Sequence, residues 1–412
     1  MRILQILSLF FLLAIWGCNP KLKQVNHFNV SSDTLIIQTE KIKGYGMFPG
    51  GGGYINFRDT TEYYKYQVIF PKNLTNIKLS HEIIDSKKYD SEDANKNSWN
   101  NPIFKENSIC IMSGNIGNDT IFIVDEDNNK DFRNDSIRLT HDYDWNKPAK
   151  LIKIKYKIFN GKEMAEDYGW ATIRTRSNNQ FVFFVSHHLK SKFFIDNQIY
   201  QIGAVSGPPF SGFCFDSPIL AFTAQNGIKK DTLYESDLLQ KGEYLKLKDT
   251  YYRFMEISND GKFITLIKEN DFNNKIGTQV GMIAPDFNCK SVDGDSIRFK
   301  DYKGKYLLLI NVTACWSRIS SYKTCMDLTE AYKGKIDFIG IDNSPVFLKN
   351  NLKELRLSGN FIDVTANKMI QVYRPLFCSR TCFLINSTGR IVDKFEIFDW
   401  KHNLGQFFRD NK

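Results

Sequence analysis

Beyond its first 17 residues the sequence has no apolar run approaching the roughly 20 residues that a bilayer-crossing helix requires. The rest of the 412-residue chain is therefore expected to be a soluble body. Histidine is scarce, with six residues. Five of them (His27, His81, His141, His187 and His188) are scattered without metal-ligand spacing, and the adjacent pair His187-His188 points to opposite faces if it lies on a strand. The formal charge is +9, but the basic residues are spread along the chain. No basic stripe with interleaved aromatics is present, so no nucleic-acid partner is expected and the charge mainly favours solubility. The glycine cluster Gly50-Gly51-Gly52-Gly53 is not followed by Lys-Ser/Thr, which excludes a phosphate-cradling loop and leaves a turn.

What the sequence does have is aromatic residues, 14% of the total with 33 Phe and 19 Tyr. Aromatic side chains suit a half-buried pleated surface, so β-structure is favoured. The length suits two or three domains. Short alternating runs separated by polar turns fill the region to about residue 275, including an Asp260-Gly261 hairpin. The two segments Phe194–Ile202 and Lys246–Phe254 both read as strand, polar turn, strand. The expected division is a leader over 1–17, a β-rich part over 18–160, a second β-rich part over 161–275 that could continue the first, and a distinct unit over 276–412.

The leader has one Arg, an apolar stretch from Ile3 to Trp16, and then Gly17-Cys18. This reads as the h-region of a signal peptide. A small residue directly before cysteine resembles the lipobox of bacterial lipoproteins, with bulky Trp16 as the departure. The resemblance implies cleavage before Cys18 and its acylation, giving a stable anchor in a lipid membrane of the cell envelope. Seven further cysteines (Cys110, Cys214, Cys289, Cys315, Cys325, Cys378 and Cys382) would then face an oxidising compartment, and the odd number leaves at least one unpaired.

The segment from Asp125 to Asp135 carries oxygen side chains at Asp125, Asp127, Asn129, Asp131 and Asp135. A hard cation takes six to eight oxygen ligands, and alternate positions on a tight loop can converge them. The pattern resembles the calcium loops of EF-hand-like and dockerin-like repeats, but lacks Gly at the sixth place and Glu at the twelfth. Calcium is one reading; a solvated acidic turn is the other.

The last third is the most informative. Gly281-Met282-Ile283-Ala284-Pro285-Asp286-Phe287 precedes an Asp293-Gly294 turn. Asp301-Tyr302-Lys303-Gly304-Lys305 then leads into an apolar strand over Tyr306–Ile310. Helical spacing follows over Ser320–Tyr332, then a strand over Ile336–Ile341, a hairpin around Gly389 and a last amphipathic helix with Leu404, Phe407 and Phe408. This succession resembles the redoxin group of the thioredoxin superfamily, particularly the TlpA-like membrane-anchored disulfide reductases. It implies an α/β thioredoxin-like C-terminal domain preceded by a β-rich N-terminal region.

The resemblance fails where the family's chemistry sits. The family's CxxC falls on Ser317 and Ser320, and the cis-proline position falls on Arg380. Disulfide exchange needs an attacking thiolate and a resolving thiol, which serine cannot supply at neutral pH. Cys315, Cys378 and Cys382 flank these positions and are expected to be neighbours in such a fold. They could be a relocated redox pair, a structural disulfide, or buried small hydrophobes. Arg318 and Arg380 would favour a thiolate there, unless both are simply solvated. Two functions remain open: a non-redox module that binds a protein or peptide in the groove, and a thiol–disulfide oxidoreductase using Cys315 with Cys378 or Cys382.

Overall fold

The computed structural model describes residues 28–31, 33–48, 50, 52–57, 68–83, 108–176, 180–195, 198–207, 212–225, 228–233, 237–312, 318–342, 350, 353, 360–365, 367–373 and 380–410. The expected leader and Cys18 lie outside these residues, as do Cys315, Ser317 and Cys378.

The β-rich region consists of two sandwiches. In the first, a sheet of Thr75–Ile83, Ser108–Ile116, Asp119–Val124 and Arg138–Leu139 packs on a sheet of Ile152–Phe159, Met164–Thr175, Phe181–Val185 and Gly53–Tyr54. The strand Ile152–Phe159 shows why these residues form a sheet. Ile152, Ile154, Tyr156 and Ile158 turn inward while Lys153, Lys155 and Lys157 face solvent, the period-2 pattern of a half-buried strand. Each such isoleucine contributes roughly 1.5–3 kcal/mol on burial.

The second sandwich uses both ends of the region. Thr34–Gln38 pairs with Phe263–Glu269, and Glu40–Lys43 pairs with His187–Ile195. Between the two sheets lie Ile37, Leu189, Phe193, Phe254 and Leu266. The break expected at 160–161 is therefore displaced. It falls in the turn between Ile152–Phe159 and Met164–Thr175, which pair with each other. The chain passes from one sandwich to the other at Ser186 instead. A hairpin turn and a crossing between sandwiches look alike in alternating strands, so the pattern could not separate them.

Lys41 crosses between the two. Its Nζ donates to Asp167 Oδ2 at 2.7 Å, to Tyr168 O at 2.9 Å and to Tyr156 Oη at 3.1 Å. Burial lowers the lysine's pKa, and Asp167 acts in the opposite direction. All three ammonium donors are used, which is how so buried a cation is tolerated.

Glycine at position 52 meets a steric demand rather than a ligand. A Cβ there would stand 2.5 Å from the Phe184 ring and 2.7 Å from the Phe183 carbonyl oxygen. The glycine cluster is thus a close approach of backbone to the Phe181–Val185 strand.

In the C-terminal unit, β1 (Asn288–Lys290) and β2 (Ser296–Arg298) form a hairpin whose turn uses Gly294 at φ +96. Then follow β3 (Tyr306–Asn311), α1 (Arg318–Ala331), β4 (Ile336–Asp342), β5 (Asn360–Asp363), a 3-10 turn (Lys368–Tyr373), β6 (Thr381–Ile385), β7 (Ile391–Glu396) and α2 (Trp400–Asp410). The sheet order is β5-β4-β3-β6-β7. β3, β4 and β5 are parallel, whereas β6 and β7 run antiparallel. Tyr322, Cys325 and Leu328 of α1 share one core layer with Trp400 and Leu404 of α2. A βαβ unit and a ββα unit thus share a mixed sheet with α1 and α2 on one face. This is the thioredoxin arrangement, and the C-terminal domain has that fold.

Candidate functional site

In this arrangement the ends of β3 and β4, the first turn of α1 and the start of β6 meet at one edge of the sheet. Parallel strands put ligand sites outside their carboxyl ends. Ser320 stands exposed in the first turn of α1.

Cys382 does not face this edge. It lies opposite Ile310 in the β3–β6 ladder, is fully buried, and belongs to the layer beneath α1 and α2. A thiol there cannot reach an external disulfide while the core is closed. Cys325, also in that layer, is pushed up to about 12 by burial. Both pack as small hydrophobes.

Arg380 is not freely solvated. Its Nε lies 3.0 Å from Glu396 Oε1, and its guanidinium lies 4.6 Å from the Phe398 ring centroid. The charge is neutralised by β7, so it has little left to lower a neighbouring thiol.

Three residues missed in the sequence organise this end. Asn311 is fully buried at the end of β3, and its Nδ2 donates at 2.8 Å to both Tyr373 O and Thr381 O. Those two carbonyls bracket the segment carrying Cys378. Asn311 Oδ1 is buried with no hydrogen-bond partner among the described residues. Beneath α1, the Tyr322 hydroxyl donates to the fully buried Asp342 carboxylate at the end of β4. The available signal was a polar residue closing each of two mostly apolar strands, Asn311 after Tyr306–Ile310 and Asp342 after Ile336–Ile341, where Asp337 alone interrupts the run.

The acidic loop is partly convergent. Asp125, Asp127 and Asp135 each offer an oxygen within 4.8 Å of the others. Asp125 is fully buried and accepts from the Asn129 and Lys130 amides at 2.9 and 3.1 Å. Asp135 Oδ1 accepts from the Glu126 amide at 2.9 Å, while its Oδ2 is buried without a hydrogen-bond partner. Burial, with help from Asp125, Asp127 and Glu126, pushes Asp135 up to about 7. Asn129 and Asp131 do not join the cluster as expected. Asn129 Oδ1 accepts from the Asp131 amide at 2.6 Å, and Asp131 pairs with Arg133 at 2.6 Å. Their oxygens are drawn to nearer donors within the loop. Lys130 takes the sixth place, where glycine is usual, and adopts φ +69, a left-handed conformation costing roughly 1–2 kcal/mol.

No protein-family model matches the chain. Glutathione peroxidase 1 of Caenorhabditis elegans is 39% identical over 49 residues, 12% of this chain. The match spans 30% of that relative's length. Among solved structures, the thioredoxin domain of a thiol-disulfide oxidoreductase from Bacteroides vulgatus is 21% identical, covering 31% of this chain and 96% of that one with a TM-score of 0.27. A thioredoxin-family thiol:disulfide interchange protein from Chlorobium tepidum is 18% identical, covering 30% and 93% with a TM-score of 0.26. A thiol-disulfide oxidoreductase from Bacteroides fragilis is 18% identical, covering 30% and 98% with a TM-score of 0.27. Each of these solved structures is similar to about 30% of the chain.

Proposed function

We propose that the chain is a cell-envelope lipoprotein, acylated at Cys18, whose thioredoxin-like domain binds a protein or peptide instead of exchanging disulfides. The observation that carries this reading is the placement of Cys382 inside the core, with Ser320 on the first turn of α1 where the resolving thiol belongs. The neutralisation of Arg380 by Glu396 supports it. The test is an insulin-reduction assay with dithiol, together with alkylation of each cysteine in glutathione buffers. No turnover and no reversible thiol pair are expected. Reversible oxidation of Cys315 near the compartment's poise refutes the reading.

A second reading keeps the chemistry through Cys315 and Cys378. Asn311 favours it, because its amide ties the base of the Cys378 segment to the strand that leads into Cys315. The same alkylation series decides between them.

We further propose that Asp125, Asp127 and Asp135 hold a calcium ion. The convergence of three carboxylates and the buried, unpartnered Oδ2 of Asp135 support this. A cation there would supply charge to three carboxylates, of which Asp125 has the Lys130 ammonium 3.5 Å away.

A further inference from the structure

At the end of the thioredoxin-like sheet opposite the groove, a cleft of about 500 Å³ opens between the incoming segment, β2's following turn and the β6–β7 turn. Its size is within the range of small-molecule sites. Leu307 of its floor lies four residues before Asn311 on β3, roughly 13 Å away along the strand, so this is a separate place from the groove. Ala284, Leu307 and Ile385 lie at its base as almost wholly buried core side chains, and the apolar surface left open is that of half-buried Ile283 and Phe299 and of Ile276, 70% exposed on the lip.

The polar groups are unevenly distributed. Lys300, Lys303 and Lys305 line one wall, against a single carboxylate, Asp286. Lys305 is held by Asp337 at 3.1 Å, which leaves Lys300 and Lys303 as the cations. Asp301, between them in sequence, is taken by Arg298 at 3.0 Å. On the opposite wall the Asn386 side chain accepts from the Thr388 amide and hydroxyl, so this turn satisfies itself. An apolar trough with cations at one side calls for a ligand of matching polarity, anionic at one end and apolar along the rest.

We propose that this cleft binds a free single-chain amphiphile with an anionic head, such as an alkyl carboxylate, with the head at Lys300 and Lys303 and the chain along Ile276, Ile283 and Phe299. The test uses the full chain and dodecanoate below its micelle concentration, with affinity read by calorimetry. Dodecanol, dodecyltrimethylammonium and phosphatidylglycerol vesicles are the comparison probes. Dodecanoate should bind best. The double variant Lys300→Glu/Lys303→Glu should weaken it about tenfold or more, because two charge-assisted contacts become repulsions. Asp286→Asn should tighten it by about twofold to fivefold, since it removes a like charge. All three side chains are exposed, and unchanged circular dichroism would show that the variants fold. The proposal is overturned if the double variant binds dodecanoate as well as the parent, if the cationic amphiphile binds equally, or if only the vesicles bind. The first of these outcomes would place any binding elsewhere, including the apolar leader. None of them bears on disulfide exchange.

Discussion

Replacing Asn311 by alanine tests the architecture of the groove end directly. Its side chain is fully buried, and each of its two Nδ2 bonds is 2.8 Å long. Removing it leaves the Tyr373 and Thr381 carbonyls each short of a donor, at roughly 1–3 kcal/mol apiece. It also removes Oδ1, whose burial without a partner already has a similar cost. The net loss should be about 2 kcal/mol. Asn311→Asp keeps the shape but turns both donors into acceptors, so it should lose more. That carboxylate's pKa would be raised by burial beside two carbonyls, so the folded state binds the extra proton and stability falls as pH rises above about 4. Hydrogen exchange read by mass spectrometry on peptides over 306–312 and 380–386 gives the local opening free energy. A change under about 0.5 kcal/mol for Asn311→Ala, or an Asn311→Asp variant more stable at pH 8 than at pH 5, would refute the reasoning.

Calcium should raise the unfolding temperature by several degrees, since a ligand at one hundred times its Kd contributes about 2.7 kcal/mol. Asp135→Asn should abolish the effect, and equal melting curves in calcium and chelator would rule the site out. His187 is buried, and desolvation lowers its pKa to about 3. The unfolded chain takes up that proton first, so stability should be lost as pH falls from about 6.5 towards 3, by up to about 5 kcal/mol. His187→Gln should flatten that slope in urea titrations, and an unchanged slope would contradict it. Cys382→Ser should destabilise the C-terminal domain by about 1–3 kcal/mol because it buries a hydroxyl among apolar groups, whereas Cys382→Ala should cost less. Equal stability of the two variants, measured in urea, would place Cys382 outside the core.

The C-terminal fold was legible because several short signals fall in order. The Asp293-Gly294 turn, the apolar β3, the periodic α1 and the Gly389 hairpin each appear where the sequence places them. The orientation of Cys382 was legible in principle, since Cys382 and Leu384 share one face of β6 by strand period, and Leu384 is core. Proximity in sequence to the remodelled loop concealed it. Asn311 could be seen as a polar residue after an apolar strand, but its partners, 62 and 70 residues away, could not. In the acidic loop the alternate spacing was visible, yet which oxygens converge depends on local donors such as Arg133 and the Asp131 amide. The two sandwiches were beyond reach, because strands so far apart in sequence carry no local mark of their pairing.

Under the proposed export, that distant pairing bears on how the chain comes through a membrane. Thr39 bonds to the Gly261 carbonyl, 222 residues further on. The first sandwich draws every strand from residues 53–185 and can close as that stretch emerges. Near the proposed anchor, Phe28–Ser31 pairs at once with Thr34–Gln38, but Glu40–Lys43 waits for His187–Ile195, and Thr34–Gln38 waits for Phe263–Glu269, almost two-thirds of the way along the chain. Secretion would therefore leave the anchor-end hairpin without the rest of its sheet until late, while a finished neighbour already stands beside it. The order of assembly runs from the middle outward, against the direction of synthesis.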